Sequence, residues 1–97
     1  MGGKQPSFTI VIHDMDIVQQ AINYDVAIEM IQSMRVKAIH RMNNAPSEEE
    51  RRKAENEVRL YNKEERILNY GEPNAKDSVY DKVFRFYGPI IRGEKAT

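Results

Sequence analysis

The feature that most constrains this chain is residues 17–42, where apolar side chains recur at helical spacing on two separate faces. At about 100° per residue, one broad arc holds the larger set. That set is Ile17, Ala21, Tyr24, Ala27, Ile28, Ile31, Met34, Ala38, Ile39 and Met42. The second stripe lies on the far side and consists of Met15, Ile22, Val26 and Met30. Because a lone surface helix is polar on that side, the pattern predicts a long helix whose second stripe is covered by the rest of the chain or by another copy.

Length, charge and cysteine content narrow the class of protein. The 97 residues suffice for one domain with a single modest core. The 15 basic and 15 acidic side chains cancel, so no net field favours nucleic acid or an anionic membrane. The longest apolar run, residues 10–12, is far shorter than the roughly 20 residues of a membrane span, and cysteine is absent. We therefore expect a single cytoplasmic domain with no disulfide and no membrane partner.

The two ends of the chain predict a small β element. Residues 8–13 are rich in β-branched and aromatic side chains and predict a strand, and residues 89–92 are a second strand-like segment. Since one strand cannot satisfy its own backbone, either the two ends pair or two copies pair through the first strand. The predicted fold class is therefore mainly α: a long antiparallel helical hairpin, a short third helix and this β element. Residues 1–6 and 93–97 are predicted to be flexible.

Local signals place the ends of the helices. The first helix is predicted to end near Asn43, and the Ser-Glu-Glu-Glu segment at residues 47–50 is a capping box that predicts the start of the second. That helix should end at Gly71. A third helix is predicted over about residues 77–87, closed by the Gly-Pro pair at residues 88–89.

Arg35 tests the packing of the predicted hairpin. Two long helices joined by about four residues should lie antiparallel, which sets Arg35 near Ala54 and Val58. Arg35 falls within the apolar arc, where an unpaired charge is costly. We expect it to reach solvent or to meet a carboxylate of the second helix, with Glu57 the nearest.

Residues 13–16, His-Asp-Met-Asp, place an imidazole and two carboxylates at the predicted strand-to-helix junction. Such groups suit a divalent cation or a general base. Helix capping by the two aspartates explains the same residues, and a metal usually needs three or four convergent ligands. We therefore predict no metal site.

A basic and aromatic segment near the C-terminus suggests a nucleic-acid contact. Its basic members are Lys82, Arg85, Arg92 and Lys95. Interleaved aromatic rings would let it stack and clamp single-stranded nucleic acid. An amphipathic helix with its aromatics in the core gives the same spacing, and neighbouring acidic residues dilute the positive charge.

The strand-then-helix order over Ser7 to about Ile28 resembles the ribbon-helix-helix DNA-binding proteins. The resemblance implies dimerisation through the strand and readout of the major groove by its polar face. The chain departs from that family at Val11, which occupies the centre of the would-be reading face, and in its much longer first helix. No second helix follows at the expected place.

These observations predict a small non-enzymatic interaction or regulatory protein. It would act as a homodimer or by docking an apolar helix face on a protein partner, and the interface would be Met15, Ile22, Val26 and Met30. The alternative is a small nucleic-acid-binding transcriptional regulator that uses the N-terminal strand or the basic-aromatic segment. We predict no catalytic residue, no cofactor and no small-molecule substrate, because no nucleophile with a nearby base and no phosphate-binding glycine loop is found.

Overall fold

The structure is a computed structural model that describes residues 17–94 in full. The described part of the chain forms four helices, which are α1 (Lys4–Asn43, described in full from residue 17), α2 (Glu48–Tyr70), α3 (Pro73–Lys82) and α4 (Gly88–Ile91). A π-helical turn, Val83–Tyr87, joins the last two. The predicted mainly α class is confirmed for the described part. The strand predicted at residues 8–13 lies outside the described residues and stays a prediction.

Both ends of the connection between α1 and α2 follow the predicted local signals. The Asn44 backbone N–H and side-chain amide both donate to the His40 carbonyl, at 3.1 and 2.8 Å, which closes α1. Ser47 caps α2, and its hydroxyl accepts from the Glu50 backbone N–H at 3.2 Å. Three glutamates in the first turn of α2 complement the positive end of the helix dipole.

Gly71 ends α2 as predicted, and the turn there leaves no room for a side chain. A Cβ at this position would lie 2.6 Å from the Ile67 carbonyl oxygen, to which the Gly71 N–H donates at 2.7 Å. Pro73 follows at the first turn of α3, where a missing N–H costs nothing.

The C-terminal helical segment corrects two predictions. It begins at Pro73 rather than near residue 77, and it continues past the Gly-Pro pair at residues 88–89 to Ile91, so residues 89–92 do not form a strand. Proline normally interrupts a helix because it lacks an N–H and crowds the carbonyl four residues earlier. Here the π-helical turn, with the Gly88 N–H bonded to the Val83 carbonyl, widens the backbone just before the proline.

The true end signal of this segment is Gly93. Its φ of 81° lies in the left-handed region that glycine adopts without strain. The Gly93 N–H bonds to the Ile90 carbonyl at 3.1 Å and the Glu94 N–H bonds to the Pro89 carbonyl at 2.8 Å. Together these bonds form a Schellman motif, which satisfies the last carbonyls of α4.

The core lies where α1, α2 and the C-terminal segment meet. The long helix contributes Ala27, Ile31, Met34 and Ala38, α2 contributes Tyr61 and Leu68, and the C-terminal segment contributes Val79, Val83 and Tyr87. Ile31 and Val83 are 0% exposed. The predicted arc is therefore the core face along its centre, whereas Ile17 and Ile39 at its edge stay exposed.

Arg35 meets a carboxylate of α2, as predicted, but its partner is Glu65 and not Glu57. The Arg35 guanidinium donates to Glu65 at 2.6 Å and to the Asn62 side chain at 2.9 Å, while Glu57 pairs with Arg41 at 2.6 Å. Helical side chains lean toward the N-terminus of their own helix. In an antiparallel pair the side chains of the two helices therefore lean in opposite directions. Arg35 consequently reaches a residue about two turns closer to the C-terminal end of α2 than its backbone position suggests.

Candidate interaction surface

The predicted second stripe divides into a covered part and a bare part. Met30 is half-buried and packs against the core, and a Cβ at Gly88 would lie 3.7 Å from its terminal methyl group. Val26 is also half-buried, whereas Ile22 is 49% exposed. Met15 lies outside the described residues. The C-terminal segment of the same chain therefore covers one end of the stripe, and Ile22 lies at the uncovered end.

Further apolar residues lie on the side of α1 that faces away from the other helices. We call this side the outer face of α1, and its side chains are Val18, Ile22, Asp25, Glu29, Ser33, Val36, Lys37 and His40. Val18 is 57% and Val36 51% exposed. The outer face is therefore a strip where apolar side chains alternate with charged ones, along the whole described length of α1.

The other helices leave the outer face free because they pack on the opposite side. Tyr24 donates to Asn69 of α2, Arg35 and Arg41 bond to α2, and Met30 meets the C-terminal segment. These contacts fix α2 and the C-terminal segment against one half of the α1 circumference. Sequence periodicity predicted that the rest of the chain or another copy covers the second stripe, and the C-terminal segment covers it at Met30.

The charges of the outer face are separated along the helix. Asp25 and Glu29 lie toward its N-terminal end, and Lys37 and His40 lie toward its C-terminal end; all four are exposed. Within the described part of the chain, none of them forms an ion pair. Glu29, Gln32, Ser33, Val36 and Lys37 line a shallow depression of about 540 Å³ between the two charged ends.

A buried polar cluster, which sequence reasoning missed, ties α2 to the C-terminal segment. Glu64 is only 4% exposed and accepts from the Tyr87 hydroxyl and from Lys82 Nζ, each at 2.7 Å. The ring of Tyr87 meets the ring of Tyr61 edge to face, 5.6 Å between centroids. The available signal was the spacing of Glu64, three residues after Tyr61 and four before Leu68, which places a carboxylate on the core stripe of α2.

Burial and neighbouring carboxylates shift the acidity of both tyrosines. Burial, aided by the charge and hydrogen bond of Glu57, raises the pKa of Tyr61 to about 12. Burial together with the hydrogen bond and charge of Glu64 also raises the pKa of Tyr87. Both phenols are therefore neutral donors at physiological pH. Since both Glu64 oxygens accept hydrogen bonds from the C-terminal segment, the cluster stabilises the packing of that segment on α2.

The residues predicted to contact nucleic acid are each bonded to a carboxylate where the structure describes them. Lys82 meets Glu64, Arg85 meets Asp81 at 3.1 Å, and Arg92 meets Glu94 at 2.8 Å. Lys95 lies outside the described residues. The segment therefore presents paired rather than accumulated positive charge.

Two of the further concave regions among the described residues are a groove and a smaller depression. A groove of about 950 Å³ separates Gln20 and Asn23 of α1 from Tyr80 and Phe84 of the C-terminal segment, whose rings stack 6.3 Å apart. The other, about 390 Å³, lies beside the α1–α2 connection. The described residues bring no three potential metal ligands together. None of their helices is both long and apolar enough to cross a bilayer.

Comparisons of the chain with protein-family models, with curated proteins and with solved structures give no match. The outer face of α1 is therefore interpreted from its own residues.

Proposed function

We propose that this chain is a small non-enzymatic interaction protein that docks the outer face of α1 on another protein chain. The observation that carries the proposal is the exposure of Val18 and Ile22 on a helix whose opposite side already packs against α2 and the C-terminal segment. Each apolar side chain of this size gains about 1.5–3 kcal/mol on full burial, so two or three half-exposed ones offer a partner a substantial part of that range.

The composition of the outer face suits a reversible contact. Polar side chains separate its apolar residues, so the face is not a continuous apolar patch. These polar residues include Asp25, Glu29, Lys37 and His40. Apolar anchors with a charged surround are the usual arrangement of interfaces between proteins that also exist apart. Such a face supports a regulatory role, in which the chain binds and releases its partner. The cytoplasmic location stays a prediction from the cysteine-free composition.

Site-specific photo-crosslinking in living cells tests the proposal. A photoreactive amino acid replaces Ile22 on the outer face in one variant and Asn56, an exposed residue of α2, in the matched control. We expect discrete protein adducts from position 22 and none of the same mass from position 56. Equal adducts at both positions, or none at position 22, would contradict docking through this face.

The nucleic-acid alternative makes an opposite prediction about salt. Phosphate contacts strengthen as salt is lowered, so a nucleic-acid regulator would shift the anisotropy of a labelled oligonucleotide at about 50 mM salt. The carboxylate partners of Lys82, Arg85 and Arg92 favour the protein-docking proposal. We expect no shift at that salt concentration. A salt-sensitive shift lost in Arg85→Ala would establish the alternative.

A further inference from the structure

We propose that the occupant of the outer face of α1 is a second copy of this chain, docked antiparallel about a two-fold axis at Ser33. In this arrangement Glu29 of each copy faces the partner's Lys37. The inference rests on the proposed function, because it names the partner of the same face. The inference goes beyond the proposed function because it specifies the orientation of the two α1 helices and the register between them.

The charge pattern of the outer face determines the orientation. Acidic Asp25 and Glu29 occupy one end, and basic Lys37 occupies the other. A parallel pair of α1 helices would oppose acid with acid and base with base. An antiparallel pair opposes acid with base at both ends. Complementary potentials select the orientation of two docking helices even where each ion pair adds little affinity.

The register follows from Glu29 and Lys37, which lie four residues before and four residues after Ser33. A two-fold axis at Ser33 exchanges these positions, so both ion pairs form at once, as the isologous contact of a symmetric dimer requires. The small Ser33 side chain lets the two helix backbones approach at the axis. Glu29 and Lys37 are exposed and are not joined to any other described residue by an ion pair, so both are available.

Apolar residues of the outer face and of its edge, where Val26 and Met30 lie, fit the same register. Val36, 51% exposed, comes opposite the partner's Met30, whose half-buried side chain marks the rim of the face beside the C-terminal segment. Val26 comes opposite the partner's His40. Ile22 lies beyond it, toward the connection that follows the partner's α1. The contact therefore places apolar side chains between and outside the two ion pairs, where they exclude water from them.

Sedimentation equilibrium of charge-reversal variants tests the proposal. Glu29→Lys and Lys37→Glu each turn both ion pairs of the dimer into repulsions, and we expect each to weaken self-association about tenfold. An equimolar mixture of the two variants restores both attractions in a heterodimer, and the double variant restores them in a homodimer. Lys63→Glu, on the exposed side of α2, is the matched control and should leave the association unchanged. Far-ultraviolet circular dichroism confirms that each variant is folded.

Two outcomes would overturn the inference. One is a wild-type chain that remains monomeric up to about 1 mM, where even weak dimers populate. The other is a dimer whose affinity does not recover in the mixture of the two variants. A monomeric chain that still forms a specific adduct with a different protein from position 22 would overturn the self-association and leave the proposed function standing.

Discussion

Glu64 shows how a charged residue is accommodated in a core of this size. It is 4% exposed, and its two oxygens accept from Tyr87 and Lys82. Replacement by alanine would leave the buried Tyr87 hydroxyl without its acceptor and would open a cavity. A buried donor without an acceptor costs about 1–3 kcal/mol. We therefore expect Glu64→Ala to lower the free energy of unfolding by about 2–3 kcal/mol in urea titrations.

Asp81→Ala is the matched control for that substitution. The ion pair of Asp81 with Arg85 at 3.1 Å is exposed to solvent at both side chains. Exposed pairs contribute about 0.2–1 kcal/mol. A Glu64 variant as stable as the Asp81 variant would show that the cluster does not hold α2 to the C-terminal segment.

Tyr61 makes the stability of the fold fall at alkaline pH. Its pKa is raised from 10.0 to about 12 by burial and by Glu57. Between these values the unfolded chain releases the proton and the folded chain retains it, so deprotonation favours unfolding. The stabilising contribution of the neutral phenol is fully present below pH 10 and is lost as the pH rises through about 12. We expect the urea midpoint to decrease steadily above pH 10, and to decrease less steeply in Tyr61→Phe.

Tyr70→Phe provides the comparison for the alkaline experiment. Tyr70 is 84% exposed, so its replacement removes no buried hydroxyl. The slope of stability with pH should match the wild type in this variant. Identical slopes in all three proteins would contradict the role of buried phenols.

At the residue scale, the sequence indicated which charged side chain needs a partner but did not identify the residue that supplies it. Arg35 was correctly expected to meet a carboxylate of α2, because its place on the apolar arc made an unpaired charge costly. The identity of Glu65 depends on the direction of both side chains relative to the two helix axes, which periodicity does not report. The spacing of Glu64 places it on the core stripe of α2, but that spacing does not identify its donors, Tyr87 and Lys82, which lie on the C-terminal segment.

The two sides of α1 should respond very differently to the same loss of side-chain volume. Ile31 is 0% exposed on the core side, and Val36 is 51% exposed on the outer face. Removing a buried isoleucine side chain costs about 2–5 kcal/mol through lost burial and the remaining cavity. We therefore expect Ile31→Ala to lower the free energy of unfolding by about 3 kcal/mol.

Val36→Ala is the control on the same helix, measured at a concentration where the chain is monomeric. Alanine favours helix over valine by several tenths of a kcal/mol, which offsets the small loss of packing. The stability should therefore change by less than about 0.5 kcal/mol. A large loss in the monomeric Val36 variant would show that the outer face is covered within the chain.

At the scale of elements, local signals predicted what is decided locally. The end of α1 and both ends of α2 follow from caps and from Gly71, whose bonds involve residues within four positions. The Gly-Pro pair at residues 88–89 misled the prediction, because a π-helical turn one residue earlier carries the helix past the proline. Val83 and Tyr87 of that turn are buried in the core. This tertiary packing overrides the local preference of the Gly-Pro pair to end a helix. Gly93 carries the correct signal and lies only four residues further on.

For the whole molecule, the unequal lengths of the helices decide which surface is left over. The contact between Tyr24 and Asn69 places the C-terminal end of α2 beside Tyr24, in the N-terminal third of the part of α1 that is described in full. The positions before Tyr24 therefore receive less cover from α2 than those after it. The sequence predicted that α1 carries more apolar surface than one neighbouring helix can cover. Because α2 is shorter than α1, the uncovered apolar side chains include Ile17, Val18 and Ile22.

Amide hydrogen exchange should report the same gradient along α1. Amides of residues 27–38 lie next to the core formed by Ala27, Ile31, Met34 and Ala38, so they exchange only when much of the fold opens. Amides of residues 17–22 lie among exposed β-branched side chains, which have modest helix propensity and few buried contacts. We expect protection in the monomer to fall at least about tenfold from the first range to the second, since a local opening there breaks little of the core. Uniform protection across both ranges at low concentration would mean that something within the chain already covers the bare end of α1.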